Sequence, residues 1–102
     1  MEKLIAGINV AVNEEGYLIN FAEWNKDIGY VIAAEADIDM TPRHWEVIEY
    51  LQKEFKNDVP LSIRKIGKSG VTDIKEFYQL FPHAPLKTAS KIAGIPKPAS
   101  CI

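Results

Sequence analysis

Apolar and polar positions along the chain change period several times, and each change marks an element. From Leu4 to Val12 the residues Leu4, Ile5, Ile8, Val10 and Val12 recur in a strand-like way. Asn13-Glu14-Glu15-Gly16 then supplies turn chemistry, and Tyr17-Leu18-Ile19 resumes the pattern. An N-terminal β-meander or hairpin is predicted. Beyond Asn20, Trp24, Ile28, Val31 and Ile32 share one helical face and Ala33-Ala34-Glu35-Ala36 favours helix, so a helix is predicted from about Lys26 to Ala36. Thr41-Pro42 is a helix start, because Thr accepts free amide hydrogens as N-cap and Pro at the first helical position loses nothing by lacking its own. Trp45, Ile48, Leu51 and Phe55 follow at helical spacing, with Glu46, Glu49, Lys53 and Glu54 on the polar face, until Asn57-Asp58-Val59-Pro60 stops the helix.

A short basic segment from Leu61 to Lys68, carrying Arg64, leads into the break Gly67-Lys68-Ser69-Gly70. Ile74, Phe77, Tyr78 and Phe81 form another helical stripe, stopped by Pro82. Pro85 to Ala93 makes a last helix, with Leu86, Ala89, Ile92 and Ala93 inward and Gly94 as the terminating residue. After it, Ile95-Pro96-Lys97-Pro98-Ala99-Ser100-Cys101-Ile102 holds two prolines in eight residues, which forbids a helix and favours an extended arm. The expected fold class is α+β: a small antiparallel β-meander packed on an array of helices, with a helix-turn-helix-like region between Leu61 and Phe81. Residues 1–94 are read as one globular domain and 95–102 as a flexible arm.

Composition narrows the possibilities. With 102 residues, 47% of them hydrophobic and 25% charged, the chain has the means for a single core. No apolar run approaches the ~18 residues of a membrane span, and the N-terminus has no basic leader, so a cytoplasmic location and no membrane partner are expected. The net charge of -2 conceals a polarity: residues 1–59 hold five Lys and Arg against twelve Asp and Glu, whereas residues 60–102 hold seven against two. A basic C-terminal part suits an anionic partner such as RNA, an acidic protein, or the chain's own acidic half.

Candidate chemistry is sparse. Cys101 is the sole cysteine, so neither an intrachain disulfide nor a multi-thiolate metal cage can form. A thiol on a proline-stiffened arm is expected to be exposed. Lys87, Lys91 and Lys97 would lower its pKa from ~8.5, while the terminal carboxylate pushes it upward. His44 and His83 are far apart without ligand-spaced partners, so no metal and no cofactor are expected. His44 is read as a surface group in the first turn of its helix, and His83, in a proline-bounded turn, as a residue able to approach a partner. Gly67-Lys68-Ser69-Gly70 lacks the first glycine of a phosphate loop. Trp24 and Trp45 are read as core anchors.

The stretch Leu80-Phe81-Pro82, the run from Pro85 to Pro98 and the penultimate Cys101 resemble the DsrC/TusE family of sulfur-carrier proteins. Gly16-Tyr17-Leu18, Trp24 and Thr41-Pro42-Arg43-His44-Trp45-Glu46-Val47-Ile48 are similar to that family's N-terminal half, so the likeness covers nearly the whole chain. The segment between Arg64 and Phe81 is shorter than in those relatives. The resemblance implies a carrier in which Cys101 accepts persulfide sulfur and relays it. In the two-cysteine members a second cysteine lies eleven positions before the penultimate one; here that position is Ser90, which cannot form a disulfide. This implies the one-thiol branch, similar to TusE, with sulfurtransferase-type chemistry rather than stand-alone turnover. Its implied partners are a TusBCD-like sulfur-donor complex and an acceptor such as a tRNA 2-thiouridylase with its tRNA. A one-cysteine accessory of sulfite reductase, or of sulfur oxidation, is the alternative. A third reading, a helix-turn-helix DNA-binding regulator, needs a basic recognition helix, whereas Thr72 to Phe81 carries Lys75 against Asp73 and Glu76. Lys87, Lys91, Lys97, Arg64 and His83 are the candidate partner-binding residues, and Gly94, Pro96 and Pro98 set the arm's conformation.

Overall fold

In the computed structural model, which describes residues 1–98, the N-terminal alternation is divided in two. Strands β1 (Glu2–Ile5) and β2 (Ile8–Ala11) pair antiparallel, with Glu2 opposite Ala11 and Ile5 opposite Ile8. Ala6 and Gly7 make the turn between them, both at positive φ, as a two-residue hairpin of the I′ kind requires. The sequence pattern had treated Leu4 to Val12 as one run because only the glycine half of the usual Asn-Gly signal is present. The turn expected at 13–16 also exists. Asn13 Oδ1 accepts from the amides of Glu15 and Tyr17, and Val12 bridges Leu18, so a third short rung completes the meander.

Five helices follow, each started by a side-chain cap or a proline. After a 3-10 turn (Phe21–Glu23), α1 (Lys26–Glu35) is capped by Asn25, whose Oδ1 accepts from Ile28 N at 2.9 Å. Helix α2 (Pro42–Lys56) starts at Thr41-Pro42 as the sequence predicts. The basic segment contains one helical turn, α3 (Ile63–Gly67), capped by Ser62. Helix α4 (Ile74–Leu80), capped by Asp73, buries Phe77. Its expected stripe is only half inward: Phe77 and Phe81 are buried, while Ile74 and Tyr78 are each 44% exposed. Ile74 nevertheless wedges against Gly67 so closely that a Cβ there would lie 2.4 Å from its Cγ1. Together α3 and α4 form the helix-turn-helix-like pair.

Helix α5 (Pro85–Ala93) is the strut of the molecule, packing against α1, α2 and α4. Leu86, Ala89, Ile92 and Ala93 face the core, as their spacing predicts, and meet Ile28, Ile32, Ile48 and Leu51 in one continuous cluster with Val10 and Val12 of the meander. Truncating a fully enclosed residue of this cluster, such as Leu51→Ala, costs about 2–5 kcal/mol. Among the described residues no helix is long and apolar enough to cross a membrane.

Candidate functional site

The site is built around the end of α5, where the chain leaves the core. Gly94 adopts φ +75, the left-handed conformation that closes a helix, and its amide donates to Lys91 O while that of Ile95 donates to Ser90 O. A side chain at 94 would also collide with the indole of Trp24, since a Cβ there would sit 2.3 Å from Cδ1. Helix ends leave their last carbonyls without intrahelical partners. Here two distant side chains supply them: Trp24 Nε1 donates to Ile92 O at 2.8 Å and Gln52 Nε2 donates to Ala93 O at 2.9 Å. Ile95, 1% exposed, still belongs to the core, and the chain emerges at Pro96. Residues 95–98 run beside Phe55, Val59, Pro60 and Leu61, leaving a cavity of about 230 Å³ between them.

Of the basic residues expected here, Lys97 pairs with Glu15 at 3.1 Å, the two side chains being 36% and 55% exposed. Lys91 lies over the same turn, close enough that a Cβ on Gly16 would sit 2.9 Å from its Nζ. Lys87, one turn earlier, has its backbone carbonyl bonded by the Tyr17 hydroxyl at 3.3 Å. The meander turn at 13–16 thus meets Lys91 and Lys97, while Lys87 stands beside Tyr17. Arg64 belongs instead to α3, exposed and packed with α4. His83 is exposed at the opposite end of α5, with φ +59, and its carbonyl accepts from the Thr88 hydroxyl at 3.4 Å. Pro96 is exposed and Pro98 half-buried. Cys101 lies outside the described residues.

Ser90 faces inward. It is 0% exposed, and its hydroxyl has no hydrogen-bond partner among the described residues.

His44 corrects an expectation: it is 7% exposed rather than a surface group. It is the third residue of α2 and completes a capping box with Thr41. Nδ1 accepts from Thr41 N at 3.1 Å, which leaves Nε2 to donate to Leu80 O at 2.9 Å. One residue earlier, Arg43 joins α2 to α4. Its Nε and Nη2 donate to the two carboxylate oxygens of Glu76 at 2.8 and 2.6 Å, Nη1 reaches Glu46 at 2.6 Å, and Nη2 also meets Val71 O. These bonds hold the Arg43 guanidinium charged well above its ordinary range, first through Glu76 and then Glu46. Hydrogen bonds from Arg43, then from Thr72, pull the Glu76 carboxyl down to about 2. Burial, followed by the charge of Glu54, raises the Tyr50 phenol. No three side chains of His, Cys, Asp or Glu converge as a metal site would need among the described residues.

Trp24 is half-buried and packs against the core rather than lying within it. Nothing in a one-dimensional pattern announces a side chain that caps a helix 41 residues away, as Gln52 does.

Residues 4–102 match the family model described as "DsrC like protein". The gamma subunit of dissimilatory-type sulfite reductase from Nitratidesulfovibrio vulgaris is 37% identical over 98 residues, covering 94% of this chain and 93% of that one. The sulfurtransferase TusE of Escherichia coli is 36% identical over 109 aligned residues, covering 97% and 98%. Among solved structures, Allochromatium vinosum DsrC is similar over the whole of both chains, with a TM-score of 0.83 and 32% identity.

Proposed function

The chain belongs to the family of DsrC-like proteins, and from that membership we propose that it is a sulfur carrier loading persulfide sulfur on Cys101 for the tRNA 2-thiouridine pathway. The observation that carries this reading is the single thiol at the penultimate position, in a chain that matches the family model through residue 102. With no second thiol, the available step is a transfer. The Cys101 thiolate attacks the terminal sulfur of a donor persulfide, an S–S bond forms at Cys101 as the donor's S–S bond breaks, and the donor leaves as a thiolate that takes up a proton. No net oxidation occurs. Discharge repeats the exchange at the acceptor.

Both branches of the family appear among the relatives, one named as a sulfite reductase subunit and one as the sulfurtransferase TusE. Ser90 favours the second, because a carrier that closes on its own second thiol needs a cysteine where this chain has a hydroxyl. The partners on this reading are a persulfide-bearing donor complex and a thiouridylase holding tRNA. Lys87, Lys91 and Lys97 stand near the start of the arm, where they meet acidic partner surfaces or the nucleic acid.

Incubation with a labelled persulfide donor, followed by intact-mass measurement, tests the reading. One added sulfur is expected, removed by reductant and lost in Cys101→Ser. Reductant-sensitive uptake that persists in that variant would sink it. Adding a thiouridylase and tRNA then separates the pathways, the expected product being labelled 2-thiouridine.

A further inference from the structure

A carrier that serves two active sites must send its reactive atom out in a defined direction, and that direction is set where the chain leaves its last helix. The last carbonyls of a helix have no intrahelical partner and are satisfied by water, by a closing turn or by side chains. At the end of α5 two side chains do so. Ile92 O accepts from the indole of Trp24, which follows the 3-10 turn, and Ala93 O accepts from the amide of Gln52 on α2. The indole also packs against Gly94, so one side chain both bonds the carbonyl and limits the turn that follows it. Beyond that point Ile95 is plugged into the core and Lys97 is held at Glu15.

We propose that Trp24 and Gln52 are positioning residues for the arm: by donating to Ile92 O and Ala93 O they fix the direction in which the chain departs toward Cys101. The function of that aim rests on the sulfur-carrier reading above; the aim itself does not. Neither residue touches the reacting sulfur. Their hydrogen bonds act on the last α5 peptides, from which Ile95 enters the core and Lys97 reaches Glu15. Cys101 lies four residues past Lys97 along the sequence, so a probe at that position reads a change made at residue 94.

The sole cysteine makes the test direct. A nitroxide is attached to Cys101 in the full chain, and paramagnetic broadening is read at the backbone amides of Glu14, Glu15 and Gly16, next to the Lys97 contact. Gln52→Glu keeps the shape but loses the N–H at neutral pH. Trp24→Phe keeps a ring against Gly94 and removes the indole donor, and Gln52→Lys restores a donor of sufficient length. Both donor-deleting variants are expected to change the broadening at these amides about twofold or more, with Gln52→Lys returning it to the parental profile, since a hydrogen bond worth about 1 kcal/mol shifts a two-state population roughly fivefold. A purely structural role would lower the melting temperature and leave the profile of the folded molecules unchanged. Superimposable profiles for Gln52→Glu, Trp24→Phe and parent would overturn the proposal. So would a change in Gln52→Glu that Gln52→Lys fails to reverse, since shape rather than donation would then be responsible. Loading of the unlabelled parent by glutathione persulfide is measured separately. Its failure would defeat the carrier reading and leave the positioning result standing.

Discussion

At position 90 a hydroxyl is enclosed by the core with nothing among the described residues to bond it. An unsatisfied buried polar group costs roughly 1–3 kcal/mol, and alanine is also the better helix former. Ser90→Ala is therefore expected to stabilise the protein by about 1 kcal/mol, read as a higher urea midpoint at unchanged slope. A destabilised variant would mean that the hydroxyl has a partner. Helical arithmetic puts residue 90 one turn after Leu86 on the inward face of α5, yet its polar type argues for the surface. His44 was misplaced for a related reason. Its type and its position in the first turn suggested solvent, but the carbonyl of Leu80 and the ring of Phe81, 36 and 37 residues away, bring an acceptor and an apolar wall to it.

Elements were legible wherever the chain carries its own punctuation. Thr41-Pro42 and Gly94 start and close helices by local chemistry, so α2 begins and α5 ends within a residue of those signals, and periodicity alone places α1 within a residue of its observed bounds. The helix-turn-helix-like region expected between Leu61 and Phe81 is present as α3 and α4, although one turn of helix has no periodicity to read and only the Ser62 cap marks where α3 begins. The tie between α2 and α4 was illegible as well, because it joins Arg43 to a carboxylate 33 residues on. That tie has a pH signature. The folded-state pKa of Glu76, about 2, lies below its ordinary 4.5. The stabilisation from its ionised form is therefore present above pH 4.5 and is lost as pH falls toward 2. Melting temperatures of the parent and Glu76→Gln, taken from pH 7 down to pH 2, should differ most at the neutral end and converge at the acid end. A gap that stays constant across the range would show that the carboxylate's charge contributes nothing.

The two halves of the molecule carry opposite charge, and the Glu15–Lys97 pair joins acidic meander to basic C-terminal segment. Both partners are partly exposed, so the pair contributes at most about 1 kcal/mol and weakens with salt; apolar burial holds the fold. The same burial governs whether a second thiol at position 90 could communicate with Cys101. Ten residues separate the two positions, a loop whose closure is entropically modest, but a disulfide needs its Cα atoms within about 7 Å and both sulfurs accessible to each other. Residue 90 faces the core at 0% exposure, so in the Ser90→Cys variant the inner thiol can meet Cys101 only when α5 loosens from its neighbours. Mild oxidation at low concentration, followed by mass and gel mobility, is expected to give an intramolecular disulfide at a rate that rises with urea well below the unfolding midpoint. Rapid closure insensitive to urea would mean that the arm reaches position 90 without opening the core. Intermolecular dimers through Cys101 alone would show that the arm does not reach position 90 and that Ser90 by itself does not account for a one-thiol role.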